Sequence, residues 1–247
     1  MEISWIAFAC VFGGALLGMF LRAVLPEHHL STDSKDLVKL GMGLIGTMTA
    51  LVLGLLVASA KGSYETQRSE IRQISTDIIV LDRVMANYGP ETKEARHLLR
   101  RAVAGALDRM WPETTSRPAQ LEPTADLESF LDKIQRLAPQ NEVQRLLQVQ
   151  ALRISIDLGK ARWLLFEERA GTIPMPFLVV LVLWLAIIFV GFGLFGPPNA
   201  TVIATLFVCA LSVSGAIYLI VELDQPFYGH IQVSSAPLRD ALTDLGD

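Results

Sequence analysis

Four long apolar stretches divide the chain, and the polar segments between them differ greatly in length. The stretches cover residues 3–21, 40–60, 173–195 and 200–221, and none of them carries a charge in its middle. A transmembrane helix needs about 20 mainly apolar residues. Glu2 and the lack of a basic start argue against a signal peptide. The pattern therefore predicts four transmembrane helices, two within residues 1–60 and two within residues 172–222.

The polar segment between the second and third stretches, residues 61–171, has a helical pattern throughout. Its apolar residues recur at a spacing of three and four, which places them on one face of a helix. The first such stripe is Ile71, Ile74, Ile78, Leu81 and Met85, and similar stripes follow near residues 95–110, 127–134 and 141–168. Such stripes are typical of core packing, with packing between subunits as the alternative.

These patterns predict an all-α integral membrane protein in which a helical domain, residues 61–171, is inserted between the second and third transmembrane helices. We expect the first and last helices of this domain to continue from those spans. Residues 223–247 form a short tail. The chain has 247 residues, of which only 19% are charged, and its mean hydropathy is +0.42. The net charge of −4 argues against nucleic-acid binding.

The distribution of basic residues predicts the orientation. Four spans place both termini and the inserted domain on one side. Of the 21 Lys and Arg residues, only Arg22, Lys35, Lys39 and Arg239 lie outside the inserted domain. Basic residues follow the second span directly, whereas the loop at residues 196–199 is uncharged. Since basic flanks stay in the cytoplasm, we expect the domain and both termini to be cytoplasmic.

The second span carries a stripe of small residues. Gly43, Thr47, Ala50, Gly54 and Ala58 recur at 4,3,4,4 spacing. Such stripes let helices approach closely, as the pair Gly14 and Gly18 would in the first span. The alternative is that this face lines a pore, with leucines as gates that close by dewetting. The pore-lining candidates are Gly43, Leu44, Thr47, Ala50, Leu51, Gly54, Leu55 and Ala58, and the best polar candidates are Thr47 and Thr49.

The exit of the fourth span is unusual because Glu222 and Asp224 stand at the negative end of the helix dipole. Three partners would answer them: Arg68 or Arg72 below the second span, the N-terminus of a cytoplasmic helix, or a bound cation. Simple solvation is the fourth possibility. Two further residues shape the exit, since Pro226 prevents the helix from continuing and Gly229 permits a turn.

Catalytic motifs are missing from the sequence. It contains neither G-x-S-x-G nor H-E-x-x-H, and no Gly-rich loop joins a strand to a helix. His28-His29, beside Glu27 and Asp33, would allow a metal site, but adjacent histidines point in different directions on regular structure, so a solvated loop is the favoured interpretation; both histidines lie outside the residues that the structure below describes. Cys10 and Cys209 lie inside apolar stretches, where they serve as small apolar residues. No acid or base lies in the middle of any span, which argues against a proton-relay or ion-coupled transporter. We therefore expect no enzyme activity.

Two sequence blocks resemble the bacterial bestrophin-like domain family. "ELDQPFYGHIQVSSAPL" is similar to its C-terminal signature E-L-D-x-P-F-x-G-x-I-x-V-S-x-x-P-L. The matching positions are Glu222, Asp224, Pro226, Phe227, Gly229 and Ser234. The second block, "LVLGLLVASAKGSYETQR", leads a span into the pair Tyr64 and Arg68, with Arg72 one turn further on. The order of two spans, a helical segment, two spans and a tail also agrees.

The resemblance implies a homopentameric anion channel with cytoplasmic termini, a pore lined by the second span and a cation site coupled to gating. Residues 40–60 contain no Phe, so the pore role carries over only to that span as a whole. We expect a homo-oligomeric, anion-conducting ring in the inner membrane, whose partners are lipids, its own copies and inorganic ions. No cofactor is expected, and a bound cation near Glu222 and Asp224 is kept only as one of the alternatives named above. The alternatives are a cation channel and a non-conducting scaffold or sensor that binds a cytoplasmic partner.

Overall fold

The computed structural model describes residues 2–25, 32–111, 125–167, 173–224, 227 and 230–245. Within these ranges all regular structure is helical and no strand occurs, which confirms the all-α prediction there. The α-helices are α1 (Glu2–Val24), α2 (Thr32–Tyr88), α3 (Lys93–Met110), α4 (Ala125–Gln135), α5 (Glu142–Glu167), α6 (Met175–Phe195), α7 (Ala200–Leu223) and α8 (Ala236–Asp244). One 3₁₀ turn, Pro90–Thr92, joins α2 to α3.

Four helices are long and apolar enough to cross a membrane, which confirms the four predicted spans by length and composition. They are α1, α2 from Lys35 onward, α6 and α7. The helix α2 contains 57 residues. At 1.5 Å per residue it is about 85 Å long, against a hydrocarbon core of about 30 Å. A large part of α2 must therefore extend beyond any bilayer that it crosses.

The chain forms two compact units. The first consists of Met1–Ser63 and Gly171–Asp224, and the second of Tyr64–Ala170 and Gln225–Asp247. The helix α2 contributes to both units, so its apolar first half and its amphipathic second half belong to different cores. The prediction that the first helix of the polar segment continues from the second span is confirmed.

In the first unit, α1 packs closely against α6. Small residues make this approach possible, because a Cβ on Gly14 would lie 2.9 Å from the backbone oxygen of Ala186. A Cβ on Gly18 would overlap the backbone oxygen of Val190 in the same way. The predicted packing role of this glycine pair is thereby confirmed. The α1–α7 contact is aromatic, since Phe207 meets Phe8 and Phe12 edge to face.

The second unit is a helical bundle with a large apolar core. The α2 stripe packs with buried residues of α3, α4, α5 and α8, which confirms that the stripes are core faces. The helix α2 ends at Tyr88, and the next residue, Gly89, has a φ of 137° that favours glycine. The buried Thr92 hydroxyl donates to the carbonyls of Met85 and Gly89, at 2.6 and 2.8 Å. These bonds satisfy two of the carbonyls at the end of α2.

The prediction that the last helix of the polar segment continues into the third span is wrong. The helix α5 ends at Glu167 and α6 begins only at Met175. Pro174, the residue before α6, has an extended backbone with ψ of 123°. Proline lacks the N–H that a continuous helix needs, but it is well suited to a helix start. The sequence Ile173-Pro174-Met175-Pro176 therefore starts a new helix.

Candidate pore helix and C-terminal signature

One face of α2 in the first unit is left uncovered by its own chain. All eight pore-lining candidates are exposed, and the three leucines Leu44, Leu51 and Leu55 are 65%, 70% and 66% exposed. In the most apolar stretch of α2 only 11% of the residues are buried, against 28–33% in the corresponding stretches of the other three spans. Such a face must contact lipid, another copy of the chain or a water-filled path.

The glycines on this face have a different environment from those of α1. A Cβ added at Gly43 or Gly54 would meet no heavy atom within 4 Å. These two positions therefore do not serve close packing within the chain. The small-residue stripe of α2 is available to contacts outside the single chain, or to an open passage.

The two threonines proposed as polar pore residues lie on different sides of α2. Thr47 is exposed, and its hydroxyl donates to the Gly43 carbonyl at 2.9 Å. Thr49 is only 5% exposed, and its hydroxyl donates to the Ile45 carbonyl at 2.7 Å. The expectation for Thr49 is therefore wrong, because its side chain faces its own chain. Residues two apart on a helix point about 200° apart, so the two could not share one face.

The C-terminal signature is held against the second unit by one aromatic cluster. Phe227 and Val233 are buried together with Ile71, Met110 and Leu165, which come from α2, α3 and α5. Phe227 meets Trp111 edge to face, with ring centroids 5.9 Å apart. The segment after the fourth span therefore contributes to the core of the bundle.

Two side chains also bind the backbone of this segment. The hydroxyl of Tyr64 donates to the Gln232 carbonyl at 3.4 Å, and the indole Nε1 of Trp111 donates to the Val233 carbonyl at 2.9 Å. The Ser234 hydroxyl accepts the backbone N–H of Ala236 at 3.2 Å, in the first turn of α8. The structure thus brings together Tyr64 and Phe227, two of the residues singled out in the sequence, whereas the contact of Ser234 is local to the start of α8.

The sequence analysis missed Trp111, although Trp111 makes the shortest of these hydrogen bonds. The sequence around it gives little indication of a functional role, since a single Trp after an amphipathic helix and before Pro112 is also typical of a helix end. The partner of its N–H is a backbone carbonyl 122 residues away, which no local pattern indicates.

The acids at the end of α7 have different environments. Glu222 is 9% exposed and accepts a hydrogen bond from Tyr218, one turn earlier. Asp224 caps α7, and its Oδ2 accepts the backbone N–H of Ile173 at 3.4 Å, just before α6 begins. Within the first unit, the Asp224 carboxylate therefore accepts a hydrogen bond from a backbone N–H near the N-terminus of α6. The positive end of the helix dipole at that N-terminus is a favourable place for an anion.

The other residues predicted for this region are Arg68, Arg72, Pro226 and Gly229. Arg68 and Arg72 are exposed on α2, and their pairing with Glu222 or Asp224 stays a prediction. Pro226 and Gly229 lie outside the described residues. Within the described part of the chain, no group of three or more His, Cys, Asp or Glu side chains is arranged to hold a metal.

The comparisons with known proteins agree with this fold. The chain matches the bestrophin-like domain over residues 9–238, and it belongs to that family, as its C-terminal signature predicted. A comparison with curated proteins gives no match.

The fold is also similar to that of solved bacterial bestrophin structures. Two point variants of a bacterial bestrophin homologue from Klebsiella pneumoniae match with TM-scores of 0.65 and 0.60, each at 14% identity. The first match covers 95% of this chain and 97% of the other, and the second covers 99% and 98%. Membership of the family and four apolar helices together indicate a membrane protein and suggest an ion channel.

Proposed function

We propose that this chain is the subunit of a homo-oligomeric ion channel in the inner membrane, with α2 of each copy lining the central path. The observation that carries the proposal is the exposed face of α2, which has eight uncovered positions and no charge. Copies arranged in a ring around this face would enclose a narrow apolar passage, with Thr47 as its hydroxyl group. Such a passage conducts when wet and closes by dewetting.

The proposed orientation places the second unit and both termini in the cytoplasm. The basic residues that follow the apolar part of α2 support it, as does the uncharged loop at residues 196–199. A pentameric ring and a preference for anions are expected from the family resemblance. The face itself carries no charge that would select an ion.

Current across a planar bilayer containing the purified protein, under a KCl gradient, tests the proposal. Reversal near the chloride potential supports the anion channel, and reversal near the potassium potential supports a cation channel of the same architecture. Leu51→Ser should raise the open probability or the conductance, because a hydroxyl favours wetting. Leu211→Ser on α7 is the matched control, since Leu211 is also exposed but is not on the proposed path. Equal effects of both changes would contradict the assignment of α2.

A second candidate function is a non-conducting scaffold. It is favoured by an exposed apolar stripe on α5, formed by Val149, Ile156 and Trp163 at intervals of seven residues. This stripe fits a partner helix or a neighbouring subunit. Silence in the bilayer under varied pH, calcium and voltage, together with a monomeric or dimeric state, would favour the scaffold over the channel.

A further inference from the structure

The helix α5 is apolar on two opposite sides. Its inner side packs within the bundle, where Ala151 and Leu165 are only 2% exposed. Its outer side also carries large apolar side chains, each between 52% and 66% exposed, which form the α5 face: Val143, Leu146, Val149, Ile156, Trp163 and Leu164. A helix at a protein surface normally has polar residues on its outer side, whereas a helix with apolar residues all round is buried. The α5 face therefore calls for cover from outside the single chain.

Exposed apolar residues of the second unit are concentrated on this one helix. Among the described residues of that unit, seven large apolar side chains are exposed, of which six form the α5 face and the seventh is Val80 of α2. The described residues of α3, α4 and α8 add none. Single exposed apolar residues are normal at a protein surface, but a contiguous patch marks a contact site.

The size of the α5 face fits a protein partner. It extends over about 32 Å from Val143 to Leu164, at 1.5 Å per residue. At about 25 cal/mol per Å², a large apolar side chain presents about 60–120 Å², so six side chains that are about three-fifths exposed present about 200–400 Å². A standard interface buries about 800 Å² on each partner, of which about 450–500 Å² is apolar. The α5 face thus supplies about half of that apolar area or more, and it is too long for a small ligand.

Charged side chains within the α5 face argue against a bilayer as its cover. Arg153 lies between Val149 and Ile156, and Lys160, which pairs with Asp157 at 3.2 Å, lies one turn beyond Ile156. A helix that lies in a membrane surface keeps its charges on the side away from the lipid, but that side of α5 packs in the bundle core. Charges beside apolar residues suit a protein surface, which can offer them hydrogen bonds.

We propose that the α5 face is a contact between neighbouring copies of this chain. This proposal rests on the homo-oligomer proposed above, and it names the surface by which the second unit joins that assembly. A soluble partner protein would cover the α5 face but would leave the exposed face of α2 uncovered, whereas further copies of the chain cover both. In a closed ring each copy presents two different surfaces to its neighbours, so the α5 face of one copy meets another surface of the next.

The molar mass of the full-length, detergent-purified protein, measured by light scattering, tests the proposal. The parent should have the mass of several chains of 27.1 kDa. Val149→Glu combined with Ile156→Glu should reduce the mass to that of one chain at the same concentration, because an apolar contact cannot bury two unpaired carboxylates. Arg100→Glu on α3 is the matched control, because it changes the net charge equally at an exposed position, and it should keep the mass of the parent.

A second double variant keeps the α5 face apolar. Val149→Ile combined with Ile156→Val preserves the total side-chain volume and should assemble as the parent does. Circular dichroism equal to that of the parent confirms that the glutamate variant folds; if it does not fold, serine at the same two positions replaces glutamate with the same expectation. The proposal is overturned if the folded polar variant keeps the parent's mass, which would assign the α5 face to another protein. It is also overturned if Arg100→Glu dissociates the oligomer equally.

The same measurements separate this contact from the channel. A monomeric parent refutes both proposals. A parent that assembles but carries no current in the planar bilayer refutes the channel alone, because the α5 contact is measured by mass. A glutamate variant that stays assembled and conducts as the parent does refutes the α5 contact alone.

Discussion

The indole Nε1 of Trp111 donates a hydrogen bond of 2.9 Å to the backbone carbonyl of Val233. This bond fixes the C-terminal segment to the end of α3, next to the edge-to-face contact of Trp111 with Phe227. A buried carbonyl that loses its donor bears the cost of desolvation. The bond therefore explains how a segment without regular structure keeps one position on the bundle.

Trp111→Phe should keep the aromatic contact and remove the hydrogen bond. We expect a loss of about 1–2 kcal/mol of stability, because the Val233 carbonyl is left without its donor. Thermal unfolding of the purified protein should show a fall in Tm of about 2–8 °C. Trp5→Phe on the exposed side of α1 is the control, with little expected change. Equal Tm values for the two variants would remove the bond from this account.

Asp82 and Arg96 form a two-pronged ion pair between α2 and α3, with N–O distances of 2.7 and 2.6 Å. The side chains of Asp82 and Arg96 are only 9% and 22% exposed, and the hydrogen bond that Arg96 donates to Asp82 raises the pKa of Arg96. Asp82→Asn should lower the free energy of unfolding by about 2–3 kcal/mol, because the remaining guanidinium of Arg96 is partly buried and loses its charged partner.

The control for this pair is the exposed ion pair between Arg136 and Asp132. Arg136→Gln should change stability by about 0.5 kcal/mol or less. A double-mutant cycle of Asp82→Asn with Arg96→Gln should give a coupling energy of about 1 kcal/mol or more. Additive losses in urea or thermal unfolding would show that the two side chains do not act as a pair.

The amino-acid sequence predicted the helices of this protein better than their ends and contacts. The stripe from Ile71 to Met85 identified a core face correctly, because a period of 3.6 residues is a local property. The break before Met175 was missed even though Pro174 and Pro176 signal it, because the long apolar run dominated the interpretation.

The candidate site was less predictable. The exposure of Leu44, Leu51 and Leu55 follows from which neighbours cover α2, and periodicity alone cannot distinguish a covered face from an open one. Thr49 was misplaced for the same reason. The bond of Trp111 to Val233 and that of Asp224 to Ile173 both end on backbone atoms far along the chain. Every residue supplies such atoms, so sequence composition carries no signal for these contacts.

The buried side chain of Tyr88 predicts that the bundle loses folding stability at high pH. Its side chain is buried, its hydroxyl has no partner among the described residues, and burial followed by the charge of Glu91 raises its pKa above the usual 10.0. A raised pKa means that the protonated form is favoured by folding. Its contribution is fully present below about pH 10, the pKa of the unfolded chain, and is lost as pH rises towards the folded pKa.

Tyr88→Phe should therefore be neutral or slightly stabilising near pH 7, since it removes a buried hydroxyl without a hydrogen bond. Above about pH 10 the variant should lose less stability than the parent. Tm measured from pH 7 to pH 11 checks both statements. A variant that is clearly less stable than the parent at pH 7 would show that the hydroxyl has a partner in the assembled protein.

Gly89 should tolerate no side chain. Its φ of 137° is unfavourable for other residues, and an added Cβ would lie 2.5 Å from Glu91 Oε2. Gly89→Ala should cost about 1–3 kcal/mol. Gly62→Ala is the matched change, because Gly62 lies inside α2 with no atom within 4 Å of an added Cβ. It should stabilise by up to about 1 kcal/mol, so opposite signs in thermal unfolding are expected and equal signs would refute the assignment.

Variants of Asp224 can decide which group pairs with the acidic side chains at the end of the fourth span. Its Oδ2 accepts the Ile173 N–H at 3.4 Å, a long hydrogen bond that leaves capacity for a stronger partner. If Arg68 supplies that partner, Asp224→Asn and Arg68→Ala should each lower the Tm of the purified oligomer, and the double variant should lose less than the sum. If the backbone donor suffices, the losses should add and Arg68→Ala alone should change little. Arg83→Ala, at another exposed arginine of α2, is the control, because coupling between Asp224→Asn and Arg83→Ala would indicate a general charge effect in place of a specific pair.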